Sequence, residues 1–404
     1  MYKLGKNIYL TEGKTRSCIY DLNECNLYSI TREDTILLKD FLQGNEELIN
    51  SELIQSLINK NFIIKSNACL DDNCLELKSR IKRLSFAWIE ITQRCNLRCI
   101  HCYNESSEKS NISMSLEEYK YVVDQVADLG IKRIQLIGGE PLIVGNERLK
   151  KMIMYASSKF DSIEIFTNGT LLTEDLASFF ADQSIQVAVS VYSYDENKHD
   201  YVTNIQGSHE RTIRCLELLR KYNVKYRTAN VLMAGVELCE RNTDLYKLNP
   251  NKDVIRMSGR GNANLLTREL IYKRLITEKS FTRKLNFKVI ERLLNAHNCF
   301  SKNLYISADL TVYPCVMERR ISHGNIKEKK LSDIIDHNIL TFNKGQIDEC
   351  KDCEFRLACF DCRPDSLSND IYAKPWYCTY NPYTGEFADP DDFIDKIMSE
   401  YQSK

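Results

Sequence analysis

Three cysteines, Cys95, Cys99 and Cys102, fall within eight residues of the stretch ITQRCNLRCIHCYN. A closed zinc site takes four ligands and a disulfide takes two, so three thiols on one loop complete neither. Thiolates are the ligands of iron–sulfur clusters, and a cubane has four iron corners. Spacings of three and then two residues let one loop wrap three corners, leaving the fourth iron open to a substrate. Two other readings stand beside this one: a zinc site completed by a distant ligand, and three unrelated buried cysteines. Seven more cysteines lie toward the C-terminus: Cys299, Cys315, Cys350, Cys353, Cys359, Cys362 and Cys378. Within CKDCEFRLACFDC two CxxC pairs sit close together, which taken alone suggests a zinc ribbon. The turn GGEP, Gly138 to Pro141, is the third chemical feature. Its glycines admit a close backbone approach and Glu140 offers negative charge, although an ordinary strand-to-helix turn has the same look.

These residues need elements to hold them. FAWIEIT reads as a strand that runs directly into the cysteine loop. SLEEYKYVVDQVADLG reads as a helix, with Ser115 as N-cap, Gly130 just past its end, and Leu116, Tyr119, Val123, Val126 and Leu129 on one face. RIQLIGG is the next strand and delivers GGEP, and a helix through ERLKKMIMYASSKF follows. SIEIFTNG, IQVAVSVYS, KYRTANVLM and DVIRMS read as further strands. Six βα-like units over residues 83–258 predict a parallel sheet, either open or curled into a partial barrel. Ligands of such sheets bind at the carboxyl ends of the strands, which is where the cysteine loop falls.

Residues 1–82 read as a small separate unit. Strands NIYLTEG, SCIYDLN and NLYSIT precede a helix through EDTILLKDFLQG, a second helix capped near Asn50 and Ser51, and a closing strand FIIKSNA. That order suggests a winged-helix-like module; a structural cap on the next domain is the plainer reading. From about residue 286 the chain is rich in cysteines and turns, and DPDDFIDKIMSEYQSK reads as an acidic terminal helix.

A chain of 404 residues suggests two or three domains, and 43% hydrophobic residues suffice for their cores. The formal net charge of -1 supplies no basic field for nucleic acid. The start, MYKLGKNIYLTEGK, has no apolar signal-peptide core, and no run of about 18 apolar residues could span a membrane. The sixteen cysteines are clustered, except for Cys18, Cys25, Cys69, Cys74, Cys215 and Cys239. In a reducing compartment such clusters serve as metal ligands or redox groups, so the expectation is a soluble, cytoplasmic protein.

The spacing CxxxCxxC in CNLRCIHC, after the first strand, resembles the signature of the radical S-adenosylmethionine (SAM) superfamily, and GGEP after the second strand strengthens the likeness. The resemblance implies a partial (β/α)6 barrel over residues 83–285, a [4Fe–4S] cluster on Cys95, Cys99 and Cys102, and SAM bound through its methionine to the open iron. Reduction of the cluster would cleave SAM to a 5′-deoxyadenosyl radical that abstracts a hydrogen atom. By the same resemblance Gly138, Gly139, Glu140 and Pro141 hold the methionine amine and His101 lies near the adenine. Asn168, Ser190 and Arg256 are candidate polar contacts at strand ends, where ordinary loop capping is the alternative.

The seven C-terminal cysteines resemble the SPASM extension, here residues 286–385, followed by the terminal helix over 386–404. The likeness implies two auxiliary [4Fe–4S] clusters: Cys350, Cys353, Cys359 and Cys378 would ligate one, and Cys299, Cys315 and Cys362 the other. His297 is a candidate fourth ligand of the second, beside a solvated histidine or an open iron that takes a substrate thiolate. Two departures stand out: Leu310 where the family usually has glycine, and two rather than three residues between Cys359 and Cys362. The second departure, with CEFRLACFDCR and EGKTRSCIYDLN (Glu12 to Asn23), resembles grasp-with-SPASM and freyrasin-type thioether maturases. Residues 1–82 would then be a PqqD-like recognition element for the leader of a ribosomally made precursor peptide. The implied activity is oxidative cross-linking of that peptide, with a Cys thioether first and carbon–carbon cyclisation second. A flavodoxin or ferredoxin would be the electron donor. A formylglycine-generating sulfatase maturase and a non-enzymatic iron–sulfur or zinc protein are the competing classes.

Overall fold

The computed structural model describes residues 1–65, 84–236, 253–282, 284–359, 361–365 and 369–401. Cys69, Cys74 and Cys239, and the expected boundary at residues 82 and 83, lie outside the described residues. By compactness the chain forms two units. One comprises Met1–Lys82, Leu275–Ser301 and Leu340–Lys396; the other comprises Arg83–Arg274, Lys302–Ile339 and Ile397–Lys404. The four-segment division expected from sequence pattern cuts the chain differently.

The first unit opens with a strand that sequence reading passes over, β1 (Tyr2–Leu4), which pairs antiparallel with β5 (Ile63–Lys65). Between them β2 (Ile8–Glu12), β3 (Ser17–Asp21) and β4 (Asn26–Ile30) form an antiparallel sheet in the order 2-3-4. The helix Arg32–Leu42 starts at a capping box between Thr31 and Asp34, and the helix Glu52–Asn59 is capped by Ser51 as expected. Strand side chains alternate faces. Ile19 of β3 therefore joins Leu38, Phe41, Ile54 and Ile63 in one core, while Cys18 and Tyr20 pack on Ile290, Leu293, Phe355 and Tyr380. Every residue of β3 is buried. Tyr20 Oη donates to the Glu354 carbonyl at 2.7 Å, and Lys14 N donates to the Asp352 carbonyl at 2.7 Å. The sheet and the segment around residues 352–380 thus share a core.

The second unit is built on an eight-stranded sheet. Its parallel part is β6 (Phe86–Thr92), β7 (Arg133–Gly138), β8 (Ser162–Thr167), β9 (Gln186–Ser190) and β10 (Tyr226–Ala229), adjacent in that order. Beyond β6 the sheet continues with β13 (Asn303–Ile306), parallel to it, and then with antiparallel β14 (Thr311–Tyr313) and β15 (Gly324–Asn325). The expected sixth strand is short: β11 (Val231–Leu232) and β12 (Asp253–Val254) pair with each other in parallel. Helices Leu116–Asp128, Asn146–Ser157, Glu174–Asp182, Glu196–Thr203 and Ser208–Lys221 lie between the strands. Ser115 caps the first of these through a reciprocal box with Glu118, and Tyr119, Val123 and Val126 are buried as the spacing predicts. Among the described residues no helix is long and apolar enough to cross a membrane.

Candidate functional site

The cysteine loop leaves β6 at its carboxyl end and turns back beside GGEP. Gly139 N donates to the Thr92 carbonyl and Glu140 N to the Arg94 carbonyl, each at 2.8 Å. A Cβ on Gly139 would sit 2.2 Å from the Arg94 oxygen, so no other residue fits that approach. With those two N–H groups spent on the loop, carbonyl oxygens are what the turn has left for a cationic amine. Cys95, Cys99, His101, Cys102, Gly138, Gly139, Asn168, Ser190 and Arg256 all line one cavity of about 260 Å³. The sequence-predicted residues are therefore brought together, apart from Glu140 and Pro141, which are buried and do not line it.

Burial, and then the charges of Glu140, Cys99 and Cys102, push the Cys95 thiol above the ordinary range. Burial and then Cys102 push Cys99 up to about 12. Cys95 is buried and Cys99 and Cys102 are half-buried, and three thiolates sharing one cavity need a cationic centre to hold them, as cluster iron does. The donor set fits a cluster.

Glu140 is fully buried and its carboxylate binds protein rather than ligand. Oε1 accepts from Leu142 N at 3.0 Å and Thr167 Oγ1 at 2.5 Å; Oε2 accepts from Asn168 N at 2.8 Å. Burial outweighs these bonds and raises its pKa to about 7. Its work is to tie the GGEP turn to the end of β8. Asn168 is held in turn: its Nδ2 donates to Asn96 Oδ1 at 3.0 Å and lies 4.0 Å from Cys95 Sγ. Its Oδ1 accepts from Thr170 N and Oγ1.

On the facing wall His101 and Tyr192 meet edge-on with ring centroids 4.9 Å apart. Burial and then Arg260 lower the His101 pKa to about 4, so its ring is neutral. The Tyr192 hydroxyl is hydrogen-bonded to Cys99 and Ser190. Arg256 is anchored to Asp253 Oδ1 at 3.1 Å.

Two residues escaped the sequence reading. Arg260 Nε donates to the Cys99 carbonyl at 2.8 Å, its Nη1 and Nη2 donate to the Ser106 carbonyl, and its backbone N donates to the Cys102 carbonyl at 3.0 Å. Gly259 precedes it at φ +58, where a Cβ would lie 2.5 Å from the Cys102 and Tyr103 carbonyls. The signal was SGRG: two glycines around an arginine just after the last strand. Glu90, inside β6, is 1% exposed and accepts from Ala308 N at 2.9 Å and Asn104 Nδ2 at 2.5 Å. A carboxylate in the otherwise apolar FAWIEIT was its signal.

In the first unit Cys350, Cys353, Cys359 and Cys378 line a second cavity, together with Lys344, Lys374 and Arg356. Burial and then Cys359 raise Cys353 and bring Cys378 up to about 11; burial is also the main cause that brings Cys350 up to about 12. This donor set also fits a cluster. Burial alone would lower the Lys344 ammonium, but Cys359, Asp361 and Cys350 more than offset it and hold the group above the lysine range. Of the other proposed trio, Cys299 and Cys362 belong to this unit and Cys315 to the other. His297 is buried rather than solvated: its Nδ1 accepts from Cys299 N at 3.2 Å and its Nε2 faces Asp361 Oδ2 at 3.6 Å. Among the described residues, no three His, Cys, Asp or Glu side chains converge closely enough to hold a single metal ion.

Comparison with known proteins gives these sites a context. Residues 89–243 match the radical SAM superfamily, and residues 299–354 match the SPASM iron–sulfur cluster-binding domain. The antilisterial bacteriocin subtilosin biosynthesis protein AlbA of Bacillus subtilis is 32% identical over 145 residues, 35% of this chain. The match spans 32% of AlbA's own length. The AdoMet-dependent heme synthase of Methanosarcina barkeri is 25% identical over 342 residues, 73% of this chain and 96% of that protein. Streptococcus suis SuiB, solved bound to S-adenosylmethionine, superposes with a TM-score of 0.53 at 14% identity, over 94% of this chain and all of that one. SuiB bound to its precursor peptide SuiA superposes at 0.50. With the cysteine loop, GGEP and the parallel sheet in place, the chain is a radical SAM superfamily enzyme with a C-terminal SPASM domain.

Proposed function

We propose that this enzyme is a maturase that binds the leader of a ribosomal precursor peptide and joins a core cysteine to a neighbouring carbon as a thioether. The likeness to SuiB, seen with its precursor peptide, over 90% of this chain carries the peptide reading. AlbA's part in making a bacteriocin supports it.

SAM bound at the first site supplies abstraction of a hydrogen atom from an unactivated carbon. The chain's own residues prepare for that. Cys95, Cys99 and Cys102 would hold the cluster, Gly138 and Gly139 would open the backbone to the methionine amine, and the neutral ring of His101 would lie near the adenine. Of the two arginines lining the cavity, Arg260 is spent on loop carbonyls, and Arg256, paired with Asp253, is the one assigned to the carboxylate. Forming C–S from C–H and S–H removes two hydrogens. One leaves as the abstracted atom; the other leaves as a proton and an electron, and the electron needs an acceptor. Cys350, Cys353, Cys359 and Cys378 would hold one such acceptor, and Cys299, Cys315 and Cys362 a second. A flavodoxin or ferredoxin would supply the reducing electron.

The test is co-expression with a cysteine-containing peptide encoded beside the gene. The expected product loses two hydrogens per cross-link and one alkylatable thiol with each. Loss of hydrogens with every thiol retained would turn the reading to carbon–carbon cyclisation, and an unmodified peptide would overturn it. Replacing Cys95, Cys99 and Cys102 by Ala should abolish reductive SAM cleavage; cleavage that survives would refute the site.

A further inference from the structure

The four-cysteine cavity holds a buried ammonium, that of Lys344. Lys344 lines it, is 4% exposed, and has no oxygen or nitrogen hydrogen-bond partner for its Nζ among the described residues. A buried ammonium has three donors to satisfy and is costly to leave uncompensated. Three other charges nearby have partners of their own. Asp361, fully buried, binds Arg363 at 2.6 Å. Lys374 binds Glu349 at 2.7 Å and the Tyr380 carbonyl at 2.5 Å. Arg356 is held by the carbonyls of Glu12 and Cys353 at 2.7 and 2.8 Å. What Lys344 faces is the sulfur of Cys359 and Cys350, with the charge of Asp361 also acting on it.

Positive charge and N–H donors beside a cluster's sulfurs favour its reduced, more negative state. We propose that Lys344 sets the potential of a [4Fe–4S] cluster on Cys350, Cys353, Cys359 and Cys378, its ammonium bonding the thiolate sulfurs and raising the reduction potential. That would make this cluster the acceptor of the electron left by C–S bond formation: [4Fe–4S]2+ becomes [4Fe–4S]+, and the thiol proton passes to solvent. The inference rests on the auxiliary-cluster reading above.

The experiment is a potentiometric titration followed by electron paramagnetic resonance, on the anaerobically reconstituted full chain. Cys95, Cys99 and Cys102 are replaced by Ala to silence the first site. Cys353→Ala is measured first and must remove both a signal and its iron. If it removes neither, the cluster reading falls, and the Lys344 proposal with it. Given the cluster, K344M and K344Q should shift its reduction equilibrium at least tenfold toward the oxidised form, about 59 mV for one electron. K344R should stay within that limit. An unshifted midpoint in both neutral variants overturns the proposal. Loss of this cluster's iron from both would also overturn it, by making Lys344 an assembly residue.

Discussion

Arg260 shows how much of the first site is made by a residue that holds no ligand. Its guanidinium reaches the Cys99 and Ser106 carbonyls together. Lysine, a single point donor, cannot span both. R260A and R260K should each weaken SAM binding roughly tenfold, about 1.4 kcal/mol, by calorimetry on reconstituted protein. Unchanged affinity would mean the loop holds its shape alone. Glu140 acts the same way, since three donors converge on its carboxylate. E140A should cost at least about 2 kcal/mol in denaturant unfolding of the iron-free protein. The group's pKa lies near 7, above the unfolded glutamate range. The folded state therefore keeps a proton that the unfolded chain has lost, and this contribution to stability falls as pH rises through that window. The wild type should lose stability there, and E140A should lose less. The candidate cluster cysteines were legible because cluster chemistry demands thiols, and GGEP because its place after the second strand fits the family resemblance. The tether at Glu140 was not, because its partners come from β8 and the spacing in GGEP says nothing of them.

At the scale of elements, local signals worked and distant pairing did not. Ser115, Thr31 and Ser51 each mark a helix start through neighbours within three residues. The extension of the sheet by β13 joins residues 86–89 to 303–306, which no local pattern encodes. The sixth strand shrank to two residues for a related reason: DVIRMS is followed by the tight Gly259–Gly261 loop that seats Arg260. In the small sheet, β2 and β4 are the outer strands, and β4 is the less buried. An added peptide strand would need β4's edge amides and carbonyls. Ser29→Pro should therefore weaken binding of a labelled leader peptide at least tenfold in fluorescence anisotropy, while peptide-free SAM cleavage persists. Equal affinity would remove β4 as the docking edge.

For the molecule as a whole, three cubanes require about twelve irons per chain after anaerobic reconstitution. Four irons with bound zinc would leave the first site intact and refute both auxiliary sites. The class of the main sheet and both matched domains could be read from the sequence. The compact units could not, because each is assembled from separated segments: residues 1–82 gather with 275–301 and 340–396. Linear reading assigns domains by stretches, whereas compactness follows the apolar faces that meet.

The two-sided burial of β3 sets a rule for re-engineering this enzyme. Cys18 and Tyr20 pack on Ile290, Leu293, Phe355 and Tyr380, so the leading 65 residues are not a cassette. Grafting another enzyme's opening segment onto this chain would set foreign side chains against that core. A workable chimera has to carry both halves of the seam, and a truncation starting at residue 83 would unroof the segment that bears Cys353.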